Sequence, residues 1–201
     1  MKQLGLWGIP KMIDVRHLTM AELEAGLDDI CQSPKDEGAL RLIVRRPRVG
    51  EREVLNEGAL DLDEGLVGDT WRARAVARSA DGVPYLLTQL NIMNARVIAL
   101  VAGPEERWPL AGDQLFIDID LSDDNMPAGT RLALGSAVIE VTEEPHTGCQ
   151  KFLTRFGVDA VKFVNSHLGR RLHLRGVNAR VVRSGVIRVG DAAKKLPAHT
   201  A

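Results

Sequence analysis

From Ala39 onward the chain is divided into short runs of β-type residues separated by glycine, proline and aspartate. They are Leu40–Arg45, Glu51–Leu55, Leu115–Leu121, Arg131–Leu134, Ala137–Thr142, Val177–Arg183 and Val186–Val189. Several alternate apolar with polar residues, most clearly Leu115, Ile117, Ile119 and Leu121 against Phe116, Asp118 and Asp120. A period of two marks a strand with one buried face. Runs so short and so numerous predict a mainly β fold with a few helices, built as an antiparallel sheet or a partly closed barrel.

The helical signals are few. Thr19-Met20-Ala21-Glu22 is a capping-box pattern, followed by Leu23, Leu27 and Ile30 at helical spacing, with Pro34 ending the run. This short amphipathic helix ends near Cys31, which is expected to pack against the domain. Gln89–Ala102 reads as a strand running into a short helix. Asp159–Leu168 reads as a helix with Ala160, Phe163, Val164 and His167 on its buried side. The chain therefore divides into an N-terminal extension over 1–38, a β-rich domain over 39–191 and a flexible tail over 192–201.

Composition removes several classes of function. A chain of 201 residues is long enough to bury a core without disulfide staples. A net charge of -1 with 26% charged residues gives no reason to expect nucleic acid as a partner. No window reaches the apolar length of a membrane span, so a cytoplasmic protein with no membrane partner is expected. Cys31 and Cys149 are then expected to be reduced thiols. No C-x-x-C or H-E-x-x-H occurs, which argues against a structural zinc site.

Cys149 is the residue with chemical potential. It follows His146-Thr147-Gly148, and Cys149–Phe156 reads as two helical turns with Phe152 and Phe156 on an inward face and Gly157 in the position after the helix that favours glycine. Cys149 then sits in the first turn, where unpaired N–H groups and the helix dipole favour an anion. His146, Lys151 and Arg155 are near enough in sequence to add positive charge. Such surroundings favour a thiolate, the form that acts as nucleophile, sulfur carrier or metal ligand. The alternative is a small buried hydrophobe, the usual state of a free cysteine.

Several motifs taken together resemble the MOSC domain, named for the C-terminal domain of molybdenum cofactor sulfurase. These are His146-x-Gly148-Cys149, Phe152, Arg155-Phe156-Gly157, Ala160, Arg175-Gly176-x-Asn178-Ala179-x-Val181 and Gly185-x-Ile187-x-x-Gly190-Asp191. Glu57-Gly58, Gly65-Leu66-Val67-Gly68-Asp69 and Leu110-Ala111-Gly112-Asp113-Gln114-Leu115 resemble the turns that open this domain. The resemblance implies a partly closed β-barrel of MOSC type. It also implies that Cys149 either ligates the molybdenum of a pterin cofactor, molybdopterin, or holds sulfur as a persulfide. Lys151, Arg155, Arg175 and Arg180 are candidates for the cofactor's phosphate and pterin, since guanidinium forks suit phosphate. His146 either assists the reaction or stands silent in a loop, and the amide of Asn178 serves either the ligand or buried backbone. One feature departs from the family. Small bacterial members often follow the Gly-Asp turn with a histidine and then an Asp-Arg pair, whereas Thr70-Trp71 follows Asp69 here, with Arg72, Arg74 and Arg78 nearby.

Three functions follow from this resemblance. The first is a molybdenum-cofactor enzyme that reduces N-hydroxylated or similar small molecules with electrons from a partner protein. The second is a carrier of persulfide sulfur on Cys149 for metal-sulfur cofactor maturation, loaded by a sulfur-donor protein. The third is a binding module whose pocket has degenerated, which Trp71 filling the pocket would favour.

Overall fold

The computed structural model describes residues 16–197. Thr19 caps helix α1 (Met20–Ala25), its hydroxyl accepting from the Glu22 N–H while the Glu22 carboxylate accepts from the Thr19 N–H. After Gly26 the chain turns into α2 (Leu27–Cys31). Then come β1 (Glu37–Arg45), β2 (Glu53–Leu55), β3 (Glu57–Asp61), β4 (Gly65–Leu66) and α3 (Trp71–Arg78). The stretch that reads as strand into helix divides into β5 (Leu90–Asn94) and α4 (Ala95–Ala102), with the Asn94 side chain accepting from the N–H groups of Arg96 and Val97 at the junction. After a 3-10 segment (Glu105–Ala111) follow β6 (Leu115–Asp118), β7 (Arg131–Leu134), β8 (Ala137–Val141), α5 (Gln150–Phe156), α6 (Val158–Asn165) and α7 (His167–Arg171). The last elements are β9 (Val177–Arg183), β10 (Gly185–Arg188) and β11 (Ala192–Lys195).

The main sheet runs β11-β7-β8-β9-β5-β6-β1-β2, and pairing of β11 with β1 closes seven of its strands into a barrel with β2 appended. Strands β10, β3 and β4 form a separate small sheet. The expected barrel is present, but it is closed and mixed, because β5 and β6 pair in parallel. Parallel neighbours need a crossover, and α4 with the 3-10 segment supplies it.

Side-chain alternation separates two apolar clusters. Leu40, Ile43, Leu90, Ile92, Leu115, Ile117 and Ile139 fill the barrel. Leu42, Val44, Met93 and Phe116 point outward, yet are buried beneath α1, α4, α5 and α6 with Leu23, Ile98, Phe152, Phe156 and Phe163. Phe116, on the polar face of its strand by alternation, is fully buried because helices cover that face. A register shift in β1 between Leu40 and Leu42 brings Leu40 and Ile43 to the same side.

Several expectations need correction. The segment 192–201 is not a loose tail throughout, since Ala192–Lys195 form the strand that closes the barrel. The boundary at 38 falls inside β1, and Leu23 of the N-terminal segment shares a core with Phe152. Cys31 is exposed. The helix expected over Asp159–Leu168 breaks at Ser166, whose hydroxyl caps α7, so His167 faces solvent.

Candidate functional site

The loop from β8 to α5 places Cys149. Its Gly148 is held by Asn165 at the end of α6, whose Oδ1 accepts from the Gly148 N–H at 2.9 Å and whose Nδ2 donates to the Gly148 carbonyl at 3.1 Å. A Cβ at 148 would lie 3.0 Å from Val164 and 3.1 Å from Asn165, so glycine lets the loop lie directly on α6. On the other side Phe152 and Phe156 are buried with ring centroids 4.7 Å apart, anchoring α5 on the second core. Cys149 is the N-cap of α5, one residue before the helix proper, and its side chain is exposed. It is therefore not the small buried hydrophobe of the alternative reading.

Cys149 lines a cavity of about 310 Å³ whose walls are unusually basic. Arg46, Arg48 and Arg52 come from the β1–β2 connection, Arg74 and Arg78 from α3, Lys151 and Arg155 from α5, and Arg175 from the approach to β9. Two of these are held by buried carboxylates. Arg46 makes two 2.8 Å contacts with Asp69, and Arg175 lies 2.8 and 2.9 Å from the oxygens of Asp113. Both aspartates sit in Gly-Asp turns, Gly68-Asp69 and Gly112-Asp113, so each turn delivers a carboxylate to a buried arginine. The Arg175 guanidinium also lies 4.9 Å over the Phe152 ring, which ties the Asp113–Arg175 pair to the helix that Cys149 caps.

The remaining cations are crowded. Desolvation, and after it the charges of Arg155 and Arg46, lower the proton affinity of Arg52. Desolvation and then Arg46 act on Arg74 in the same direction. Arginine stays charged through such shifts, so the cleft retains its repulsion and favours an anionic occupant.

His146 lies in an adjoining cavity of about 280 Å³ that shares Arg46, Arg74 and Arg78 with the first. Burial, then the charge of Arg175, hold its pKa down to about 3. Its Nδ1 is 3.6 Å from Asp113, too far for a hydrogen bond, and has no partner among the described residues. The imidazole is thus neutral at physiological pH and adds no positive charge around Cys149, contrary to the sequence expectation. Trp71 is buried in the wall of the same cavity without closing it, and its Nε1 has no hydrogen-bond partner among the described residues.

Of the expected cofactor-binding residues, Lys151, Arg155 and Arg175 line the Cys149 cavity. Asn178 borders the His146 cavity, but its amide accepts from Asn91 and donates to the Glu144 carbonyl, which gives it a structural task. Arg180 lies apart. It pairs with Glu140 at 2.6 Å beside Arg131 on the barrel wall and borders neither chamber. Sequence reasoning missed Arg46, Arg48, Arg52 and Asn165. Arg45-Arg46-Pro47-Arg48, with Arg52 close behind, was the available signal for the first three. Nothing local in the sequence marks Asn165.

Among the described residues no group of three or more His, Cys, Asp or Glu side chains is placed to hold a metal ion. A metal here would meet Cys149 as its protein ligand and draw its other ligands from the cofactor. The donor set fits such a group: a thiol open to a concave site, arginine forks for a phosphate, and two adjoining chambers. No helix of the described residues is long and apolar enough to cross a membrane.

A family model described as MOSC domain matches residues 94–194. No curated protein matches the sequence. Among solved structures, the chain is similar to the YuaD protein from Bacillus subtilis, with 15% identity, a TM-score of 0.58, and coverage of 79% of this chain and 95% of that one. It is also similar to YiiM from Escherichia coli, with 16% identity, a TM-score of 0.50, and coverage of 79% and 70%. A third structure, described only as a hypothetical protein, gives 16% identity, a TM-score of 0.55, and coverage of 81% and 69%. At these identities the likeness shows the shared fold.

Proposed function

The chain belongs to the MOSC domain family, and on that premise we propose that it binds molybdenum cofactor with Cys149 as the protein ligand to the metal. The observation that carries this reading is an exposed cysteine opening into a cavity lined by eight basic side chains. Thiolate is a soft ligand suited to molybdenum, and the cofactor's phosphate would be met by Arg155, Lys151 and Arg52. When bound, the cofactor would supply two-electron redox chemistry. The substrate class is an N-hydroxylated or similar oxidised small molecule, with electrons delivered by a partner protein in the cytoplasm.

The chain's own residues orient and exclude. Asn165 and Gly148 fix the backbone at Cys149, and Phe152 with Arg175 fixes the helix behind it. His146 is neutral and partly open, with 13% of its side chain exposed, so it serves a ligand as a hydrogen-bonding group and not as a cation. Elemental analysis of protein expressed in a cofactor-competent host tests the proposal. Near-stoichiometric molybdenum is expected in the wild type and a loss of most of it in Cys149→Ala. Equal metal in both proteins refutes the role given to Cys149.

Persulfide carriage on Cys149 is the second reading, and the exposure of the thiol favours it. It predicts cyanide-releasable sulfur in the wild type and none in Cys149→Ser. The degenerate-module reading has less support, since Trp71 forms a wall and leaves a cavity beside it.

A further inference from the structure

The cleft carries more positive charge than a single phosphomonoester takes up. Arg46 and Arg175 are spent on buried carboxylates, and Arg48 lies 3.7 Å from Glu51. Five cations remain: Arg52 from the β1–β2 connection, Arg74 and Arg78 from α3, and Lys151 and Arg155 from α5. Among the described residues Arg52, Arg78, Lys151 and Arg155 form no ion pair, and Arg74 reaches only Asp69, at 3.7 Å, which Arg46 already holds. A phosphomonoester offers three terminal oxygens and about −1.5 to −2 charge, and each guanidinium fork spans two oxygens. Arg52, Lys151 and Arg155, beside Cys149, match that charge, with Arg52 also donating to the Pro109 and Glu51 carbonyls and Arg155 to the Leu110 carbonyl.

That leaves Arg78 without an anion among the described residues, and Arg74 with only a distant share of the carboxylate that Arg46 holds. Arg74 and Arg78 stand one turn apart and share a helix face with Trp71. All three also line the second chamber. The face presents two fork donors one turn apart to that chamber, a set that fits a second phosphoryl group.

We propose that the cleft takes a ligand with two linked phosphoryl groups, one met by α5 and the β1–β2 connection beside Cys149 and the other by Arg74 and Arg78. Which molecule this is rests on the functional reading above; under that reading it is a pterin cofactor extended through a pyrophosphate linkage.

Titration calorimetry with inorganic phosphate and inorganic pyrophosphate, at one fixed ionic strength, tests the geometry without any cofactor. Pyrophosphate is expected to bind at least about tenfold tighter than phosphate, a difference of about 1.4 kcal/mol. Arg74→Gln/Arg78→Gln should remove that preference and leave phosphate affinity nearly unchanged. Lys151→Gln/Arg155→Gln should weaken both anions. Arg72→Gln/Arg183→Gln removes equal charge outside the cleft, since Arg72 pairs with Glu64 and Arg183 is exposed, and should keep the preference. Equal affinity for the two anions in the wild type overturns the proposal, as does an equal loss of preference in the α3 and control pairs. Thermal melts check folding, and Arg78→Gln alone replaces the α3 pair if that variant melts early. Anion binding is read without metal or cofactor, and molybdenum by elemental analysis of the wild type and Cys149→Ala. Lost anion preference with Cys149-dependent molybdenum therefore removes only the second subsite, and the converse removes only the metal reading.

Discussion

Replacing Asp113 by asparagine should be among the costliest near-isosteric changes in the molecule. Asp113 is fully buried and Arg175 is 5% exposed, and the carboxylate is the only anion within reach of that guanidinium among the described residues. Asparagine keeps the shape but leaves a buried cation without its counter-charge. Among the described residues the one other oxygen on the guanidinium is the Ala111 carbonyl at 3.1 Å, and the Arg175 Nε has no partner. Breaking a buried pair from one side costs about 3–5 kcal/mol. At about 2–4 °C per kcal/mol for a chain of this size, the melting temperature should fall by roughly 6–20 °C. Arg175→Met should cost a similar amount, because it strands the carboxylate. The double variant Asp113→Asn/Arg175→Met, in which methionine can lie on Phe152, should be far less damaged than the two losses summed, with a coupling of about 2 kcal/mol or more. Urea unfolding of the four proteins gives the cycle. Single losses below about 1 kcal/mol, or an additive double variant, would show that water reaches the pair and that it does not brace the Cys149 helix.

The other predictions are narrower. His146 has its folded pKa pushed from 6.5 to about 3, so the unfolded chain binds more protons between those values and stability falls as pH drops through that window. His146→Gln should be flatter than wild type from pH 6.5 to 4 by about 1 kcal/mol per pH unit, read from urea midpoints, and should match its slope above pH 7. Asn165→Ala leaves the Gly148 N–H and carbonyl without their partner and should cost about 1–3 kcal/mol. Asn165→Asp, which can accept from that N–H but not donate to the carbonyl, should recover part of the loss. In single-cysteine variants, an anionic disulfide reagent should modify Cys149 faster than Cys31 at low salt, with the gap closing as salt screens the cleft; a neutral alkylating reagent should show no such salt dependence.

The strands that read best from sequence were those with clean alternation or sharp turns. Arg131–Leu134 and Val177–Arg183 match the structure to the residue, and Gln89–Ala102 does divide into strand and helix. What failed needed knowledge of partners far along the chain. Glu57–Asp61 carries no strong β signal of its own and becomes a strand by pairing with Gly185–Arg188. Ala192–Lys195 reads as a polar tail because its register against β1 and β7 is set by the closing of the barrel. The site follows the same division. Cys149, Lys151 and Arg155 could be placed together because one short helix carries them, whereas Arg46, Arg52 and Arg74 reach the cleft from other elements. Arg180 was misplaced because its neighbours in sequence give no hint that Glu140 lies across from it on the next strand.

A count of arginines near Cys149 therefore misstates which of them are free to act. Arg46 and Arg175 are the most buried cations of the cleft, and each is occupied by an aspartate from a Gly-Asp turn. Such a pair adds little net stability, but it lets a cation stand in a nearly dry wall, where its field is less screened than at the surface. The same field contributes to keeping His146 neutral. The five cations that can still change partners lie on α3, α5 and the β1–β2 connection, and these form the rim of the cavity. Variants at the buried pair should act first on folding, and variants at the rim first on which anion binds. If both sets moved stability and anion affinity together, the division between wall and rim would be wrong.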